Sequence, residues 1–257
     1  MSTSRDSNAP RRRGHRPDVP IALVTGASGG FGRALAVELD RRGCSVAVHY
    51  NSSLDAANET AAMLNHPSSV VGGDIAEWDQ ATALVAQVEQ TLGPVDVLVN
   101  NSGIRLDALM AMQDPADWAR VIQTNLIGTF HMSRAVVPGM LARRWGRIVN
   151  IVSPSGFIAT SGQTAYSASK AGVMGLTRTL AAECAKRGVT VNALSPGFMI
   201  TGMTENLQDS AKEAIRSKCP MQRFGTAEEI ARAIGVFLEV DYMTGQVISV
   251  DGGVTVV

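Results

Sequence analysis

From residue 21 onward, short runs rich in β-branched residues alternate with longer segments in which Ala, Leu and Val recur at helical spacing. The runs read IALVT, SVAVHY, SVVGG, VDVLVN, RIVNIV, VTVNAL and QVISV. They are almost continuously apolar, which is the pattern of strands covered on both faces; a half-exposed strand alternates instead. Seven such strands separated by helical segments predict a single doubly wound α/β domain over residues 20–257, a mostly parallel sheet with helices on both faces. No linker, repeat or low-complexity block interrupts the pattern after residue 20. Residues 1–19 are polar, basic and rich in breakers, and read as a disordered tail.

Composition narrows the field by exclusion. A chain of 257 residues can hold one large core. Its formal net charge is zero, so no global field draws nucleic acid or an anionic membrane, and a charged partner must be met by a local patch. Cys44, Cys184 and Cys219 are widely spaced, odd in number and without metal-ligand spacing, which suits a reducing compartment and packing roles. The run IALVT is too short for a signal-peptide core and leads into a glycine turn, and no stretch is long enough to span a bilayer. A cytoplasmic protein is expected, with no nucleic-acid or membrane partner and no metal.

The first strand ends in TGASGGFG, Thr25 to Gly32, followed by the helical segment RALAVELDRRG. Strand, glycine-rich turn and helix in that order present free backbone N–H groups and the positive end of a helix to an anion such as a pyrophosphate, as in a Rossmann domain. The same glycines can instead merely permit tight strand-to-helix packing. A ribose with a free 2′-hydroxyl is usually met by a carboxylate about 20 residues further on. Here that region reads His49-Tyr50-Asn51-Ser52-Ser53, with no acid. The gap permits a 2′-phosphate, to which Asn51, Ser52 and Ser53 can donate, although these residues can equally form a helix-capping turn.

Tyr166 and Lys170, in TAYSASKAG, stand four residues apart on one helical face, among small residues that leave room for a ligand or another helix. A nearby ammonium favours the phenolate; bringing a tyrosine from about 10 to about 7 takes about 4 kcal/mol. Thirteen residues earlier, at the end of RIVNIV, lies Ser153. A serine at the carboxyl end of a parallel strand faces the ligand crevice of an open sheet, or alternatively turns the chain before Pro154 and Gly156.

These elements in this order resemble the short-chain dehydrogenase/reductase family, and the likeness runs from about residue 20 to the end. It rests on TGASGGFG, Asp74-Ile75, Asn100-Asn101-Ser102-Gly103, Asn125-Leu126, Ser153, Tyr166-Ser-Ala-Ser-Lys170, Ser195-Pro196-Gly197 and Val250-Asp251-Gly252-Gly253. The resemblance implies that Tyr166 is the acid/base and that Ser153 orients a substrate carbonyl. It implies too that Lys170 binds the nicotinamide ribose while lowering the tyrosine pKa, and that Asn125 completes a proton relay through water. It also implies cofactor contacts from Gly26, Ser28, Gly30, Phe31 and Gly32, from Asn51 and Ser52, and from Asp74 and Ile75 at the adenine. Asn101 and Gly103 fall on the adenosine side, with Tyr166, Lys170, Pro196, Gly197 and Thr201 around the nicotinamide. Asn101 can instead cap a turn, and Thr201 the helix that follows.

The phrases GIRLD, DWARVI, GQTAY and PGFMIT are most similar to the 3-oxoacyl-[acyl-carrier-protein] reductases and their polyketide relatives. That likeness implies NADPH-dependent reduction of 3-oxoacyl thioesters carried on acyl carrier protein, by a homo-oligomer that is a tetramer in the relatives. Two arginines near the active-site mouth engage the acidic carrier in that branch, and Arg144 and Arg187 occupy the corresponding positions. As solvated cations at helix C-termini they also need no partner. The lid and substrate pocket are expected from residues 198–225, with Met199, Met203 and Met221 either lining an acyl channel or filling core gaps.

Departures from the pattern are Gly29, where many NADPH-using relatives carry a basic residue, Ser102 for the usual alanine, Pro154 after the serine, and a short segment FLEVDYMTG. The competing expectations are a dehydrogenase of a free alcohol, sugar or ring ketone, and a catalytically silent binding subunit. The intact Asn125, Ser153, Tyr166 and Lys170 set argues against the last.

Overall fold

The computed structural model describes residues 14–199, 213 and 216–256. Seven strands, β1 (Ile21–Val24), β2 (Ser45–Tyr50), β3 (Ser68–Gly72), β4 (Val97–Asn100), β5 (Gly146–Ile151), β6 (Val189–Pro196) and β7 (Val247–Val250), form one sheet in the order β3-β2-β1-β4-β5-β6-β7. Every pairing is parallel, so the sheet is wholly rather than mostly parallel.

The period of two along each strand divides the core. Ala22, Val24, Val97, Val99, Val149 and Ile151 enter one apolar cluster, while Leu23, Leu98 and Ile148 enter the other. The first is closed by α1 (Gly30–Arg41), through Leu35 and Leu39, and by α7 (Ala227–Ala231) and α8 (Ile234–Glu239), through Ile230, Ile234 and Phe237. On the opposite face lie α3 (Trp78–Thr91), α5 (Gly128–Arg143) and α6 (Thr164–Cys184), which contribute Leu84, Met132, Met140 and Ala181. The helix α2 (Leu54–Ala61) packs beside β2 and β3. The edge strands β3 and β7 are only partly buried, unlike the interior strands. Their apolar sequences therefore overstate how well a single chain covers them.

Near the carboxyl ends of β4 and β5 a buried polar tie fixes the register. Asn100 Nδ2 donates to Asn150 Oδ1 (2.8 Å) and to Ser133 Oγ (3.1 Å), and Asn150 Nδ2 donates to Thr177 Oγ1 (2.9 Å). These bonds connect the two strands to α5 and to α6, the helix that carries Tyr166 and Lys170. A helical stretch from α4 (Pro115–Ile122) to α5 is interrupted by a π-helical turn, Gln123–Ile127, with Asn125 at its middle. Such turns are rare and concentrate at functional positions.

Within the segment read as a tail, the backbone N–H of Gly14 donates to the Arg144 carbonyl (3.2 Å). All three cysteines are free and buried. Among the described residues no helix is long and apolar enough to cross a membrane, and no cluster of His, Cys, Asp and Glu is arranged to hold a metal ion.

Candidate active site

In an open parallel sheet, loops leaving neighbouring strands diverge where the strand order reverses, and a crevice opens there. Here the reversal lies between β1 and β4, and a cavity of about 800 Å³ opens beyond their carboxyl ends. Gly26, Ser28, Gly30, Phe31, Gly32, Asn51, Ser52, Asp74, Ile75, Asn101, Gly103, Tyr166, Lys170 and Pro196 all line it.

The glycine loop is shaped for close approach. Gly26 has φ +64°, a conformation that costs residues with a Cβ. A Cβ on Gly32 would overlap the Gly26 carbonyl oxygen and lie 2.6 Å from Asn101 Nδ2. No side chain caps α1 and its first turn carries no acid, so the N-terminal N–H groups remain available to an anion. Asn101 does more than cap a turn: its Nδ2 donates to the carbonyls of Thr25 (2.9 Å) and Gly26 (3.2 Å). Thr25 Oγ1 in turn accepts from the backbone N–H groups of Asn101 and Ser102, both at 2.9 Å.

His49 is a further support that the sequence pattern did not single out. Its Nδ1 accepts from the Gly26 N–H (3.0 Å), which leaves Nε2 to donate to the Gly73 carbonyl (2.8 Å). The ring is therefore neutral, and burial holds its pKa below the ordinary histidine value. One side chain thus joins the loop after β1 to the end of β3.

Asn51 and Ser52 are exposed at the end of β2, and Asp74, which follows the neighbouring strand β3, lines the same cavity. The Asp74 carboxylate accepts from the Ala76 N–H (2.9 Å), and Ile75 is buried. The length of the cavity, the free helix terminus and the cradle beside Gly32 fit a dinucleotide.

The candidate catalytic side chains come from three elements. Ser153 follows β5, and its Oγ accepts from the Ser155 N–H (3.3 Å). Tyr166 and Lys170 are one turn apart on α6, with Lys170 Nζ 5.6 Å from the centroid of the tyrosine ring. Lys170 is buried and its Nζ donates to the Ile151 carbonyl (2.9 Å); burial pushes its pKa down to about 8. Asn125 is fixed from both sides of its amide: Oδ1 accepts from the Ile104 N–H (2.8 Å), and Nδ2 donates to the Ile104 carbonyl (3.0 Å) and to Ser169 Oγ (3.1 Å). Asn125 is buried behind Gly103, where a Cβ would lie 3.2 Å from Asn125 Oδ1 and 3.5 Å from Lys170 Nζ, while Ser153 is half-buried and hydrogen-bonded to Tyr166.

The electrostatics differ from the sequence expectation. Burial dominates at Tyr166 and raises its pKa above the ordinary phenol value, against downward pulls from a Ser153 hydrogen bond and the Arg105 charge; Asp107 adds an upward push. Lys170 is turned to a backbone carbonyl, and the Arg105 charge, from a residue that borders the cavity, also pulls on the phenol.

Other expected residues are placed differently. Gly197 lies against Asp251 and borders a smaller cavity near Cys219. Thr201 and Met203 lie outside the described residues. Met199 lines the main cavity, whereas Met221 is exposed. Arg144 and Arg187 come together, with an Arg144 guanidinium nitrogen donating to the Lys186 carbonyl (3.4 Å), around a separate cleft that includes Arg16. They are not at the mouth of this chain's crevice: each precedes the amino end of its strand, β5 or β6, whereas Ser153 and Pro196 are at the carboxyl ends.

Parallel sheet, glycine loop and the Ser153, Tyr166 and Lys170 arrangement together define a nicotinamide-dependent dehydrogenase. The chain belongs to the short chain dehydrogenase family, whose model matches residues 20–212, and is an NAD(P)H-dependent oxidoreductase. It is 42% identical over 241 residues to Nodulation protein G of Azospirillum brasilense, covering 91% of this chain and 97% of that protein. It is also 42% identical over 238 residues to the 3-oxoacyl-[acyl-carrier-protein] reductase FabG of Staphylococcus epidermidis, covering 90% and 97%. Among solved structures, a gluconate 5-dehydrogenase from Burkholderia cenocepacia J2315 in complex with NADP and tartrate superimposes with a TM-score of 0.86 at 30% identity, covering 94% of this chain and 97% of that one.

Proposed function

We propose that the protein reduces a 3-oxoacyl thioester, carried on acyl carrier protein, to the 3-hydroxyacyl thioester with NADPH, in fatty-acid or polyketide assembly. The observation that carries the substrate class is a group of exposed apolar side chains on the segments that follow the strands. Leu109, Met110, Met112, Phe157 and Phe198 are exposed, on segments that leave the carboxyl ends of β4, β5 and β6. Exposed apolar side chains on these segments suit an acyl chain better than the hydroxyls of a sugar. The carrier-linked reductase among the relatives supports the same reading.

The nicotinamide, when bound, supplies hydride to the carbonyl carbon. Tyr166 gives its phenolic proton to the carbonyl oxygen while the Ser153 hydroxyl hydrogen-bonds the same atom, so two donors meet the charge that develops there. Lys170 holds the ribose, and Asn125 orders the route by which Tyr166 regains its proton. The glycine loop, Asn51, Ser52, Asp74, Ile75, Asn101, Pro196, Gly197 and Thr201 hold the rest of the dinucleotide. The missing acid at Asn51-Ser52-Ser53 supports NADPH over NADH, because a carboxylate there would repel a 2′-phosphate. The half-exposed apolar strand β7 supports a homo-oligomer, a tetramer as in the branch it resembles.

Carrier docking is assigned to Arg144 and Arg187. Both precede the amino ends of β5 and β6, so this role requires a docked carrier to serve the crevice of a neighbouring subunit. Reversing both charges is expected to lower kcat/KM for carrier-bound substrate by about tenfold or more while leaving a short thioester mimic unchanged. Equal losses on both substrates exclude the docking role. The second reading, a dehydrogenase of a free alcohol, sugar or ring ketone, is favoured by the distance of those arginines from the chain's own crevice and by the likeness to a gluconate 5-dehydrogenase.

A further inference from the structure

Two loops meet over the substrate end of the crevice, one leaving β4 and one leaving β5, and a single buried amide joins them. Gln163, 8% exposed, directly precedes α6. Its Nε2 donates to Asp107 Oδ2 (3.0 Å) in the β4 loop, and its Oε1 accepts from Ser155 Oγ (2.8 Å) in the β5 loop. The backbone runs the same way, with the Ala108 N–H donating to the Gly162 carbonyl (2.9 Å). From Ser155 the chain of contacts reaches the chemistry in one step, because the Ser155 N–H donates to Ser153 Oγ (3.3 Å). Asp107 is held in turn by Arg105, Nε to Oδ2 at 3.2 Å.

We propose that Asp107, Gln163 and Ser155 form a clasp that fixes Ser153 against Tyr166, which makes Gln163 a positioning residue for carbonyl reduction. A serine hydroxyl rotates freely unless its neighbours choose an orientation for it. The Ser155 N–H occupies one lone pair of Ser153 Oγ, and the Gln163 bond keeps Ser155 where it can do so. Both ends of the Gln163 amide are used with the correct polarity, Nε2 towards a carboxylate and Oε1 towards a hydroxyl, so the clasp has one low-energy arrangement. The inference rests on the reading of Ser153 and Tyr166 as the reacting pair. It does not depend on which carbonyl compound is the substrate.

The test uses three variants of the full-length chain. Gln163→Met keeps the volume and removes both bonds. Gln163→Glu keeps the Ser155 bond but sets a carboxylate against Asp107; the two share a proton at low pH and repel at high pH. The charged and titratable groups facing that pair are Arg105 from the β4 loop and Tyr166 from α6. Gln163→Glu combined with Asp107→Asn restores a donor-to-carboxylate bond of reversed direction at unchanged net charge.

The first readout needs no substrate: ultraviolet titration of the Tyr166 phenol, taken as the difference from Tyr166→Phe. Gln163→Met is expected to shift that titration upward by about half a unit or more, because the Ser153 hydrogen bond that pulls the phenol down is loosened. The second is kcat with a 3-oxobutyryl thioester, and in parallel with a free cyclic ketone, against pH. Gln163→Glu is expected to approach wild-type turnover at low pH and to fall about tenfold below it at high pH. The double variant is expected to follow the wild-type profile at every pH, with NADPH affinity unchanged throughout. An unshifted phenol in Gln163→Met, or a Gln163→Glu profile parallel to wild type, overturns the proposal. Turnover of the cyclic ketone but not of the thioester overturns the substrate reading and leaves the clasp standing on the titration.

Discussion

Tyr166→Phe is expected to leave the fold and the NADPH affinity intact and to lower kcat by about 10²–10⁴-fold, the range contributed by a positioned general acid. Tyr166 lines the dinucleotide cavity, but the change deletes only its hydroxyl, so the ring keeps its packing. The proton donor disappears and Ser153 alone faces the developing oxyanion. Because burial raises the phenol pKa, the donor stays protonated through the neutral range and the reductive direction is served there. Fluorescence titration with NADPH, alongside steady-state turnover, separates the two effects. Retained turnover in the variant removes Tyr166 from the mechanism.

Lys170→Met is expected to abolish most turnover and yet to stabilise the cofactor-free protein at neutral pH. The lysine is buried, its nearest polar partner is one carbonyl, and its pKa stands at about 8 against about 10.5 for a free side chain. The folded state therefore gives up the proton before the unfolded state does. Keeping the charge costs stability in full below about pH 8, and that cost vanishes as pH rises towards about 10.5. The penalty is on the order of 3 kcal/mol, partly offset because methionine leaves the Ile151 carbonyl without its donor. Urea denaturation at several pH values should show a gap between variant and wild type that closes between about pH 8 and 10.5. A destabilised variant at pH 7, or a gap independent of pH, contradicts a buried charged lysine.

The interior of the fold was legible in the sequence because the interior strands are largely apolar and covered on both faces, as β5 shows: all six of its residues are buried, the polar Arg147 and Asn150 included. The edges were less so, since the same apolar pattern in β7 accompanies half exposure. The placement of the glycine loop, Ser153, Tyr166 and Lys170 was legible because it depends on spacing within one or two elements. The π-helical turn at Asn125 was not: the local pattern continues as helix, and the extra residue is held by Ile104, 21 residues earlier. His49 and Gln163 were missed for the same reason, with partners 23 and 24 residues away in one case and 56 in the other. The distance between Arg144 and the crevice was in principle readable, because a residue that immediately precedes a strand lies at its amino end, opposite the ligand side of a parallel sheet.

The most direct test of the account is NADPH oxidation, followed by absorbance, with a 3-oxoacyl group presented on acyl carrier protein and in parallel as a short thioester mimic. The account predicts turnover of both, with kcat/KM clearly higher for the carrier-bound form. Absence of turnover on both, with oxidation of NADPH by a free sugar or ring ketone, contradicts it.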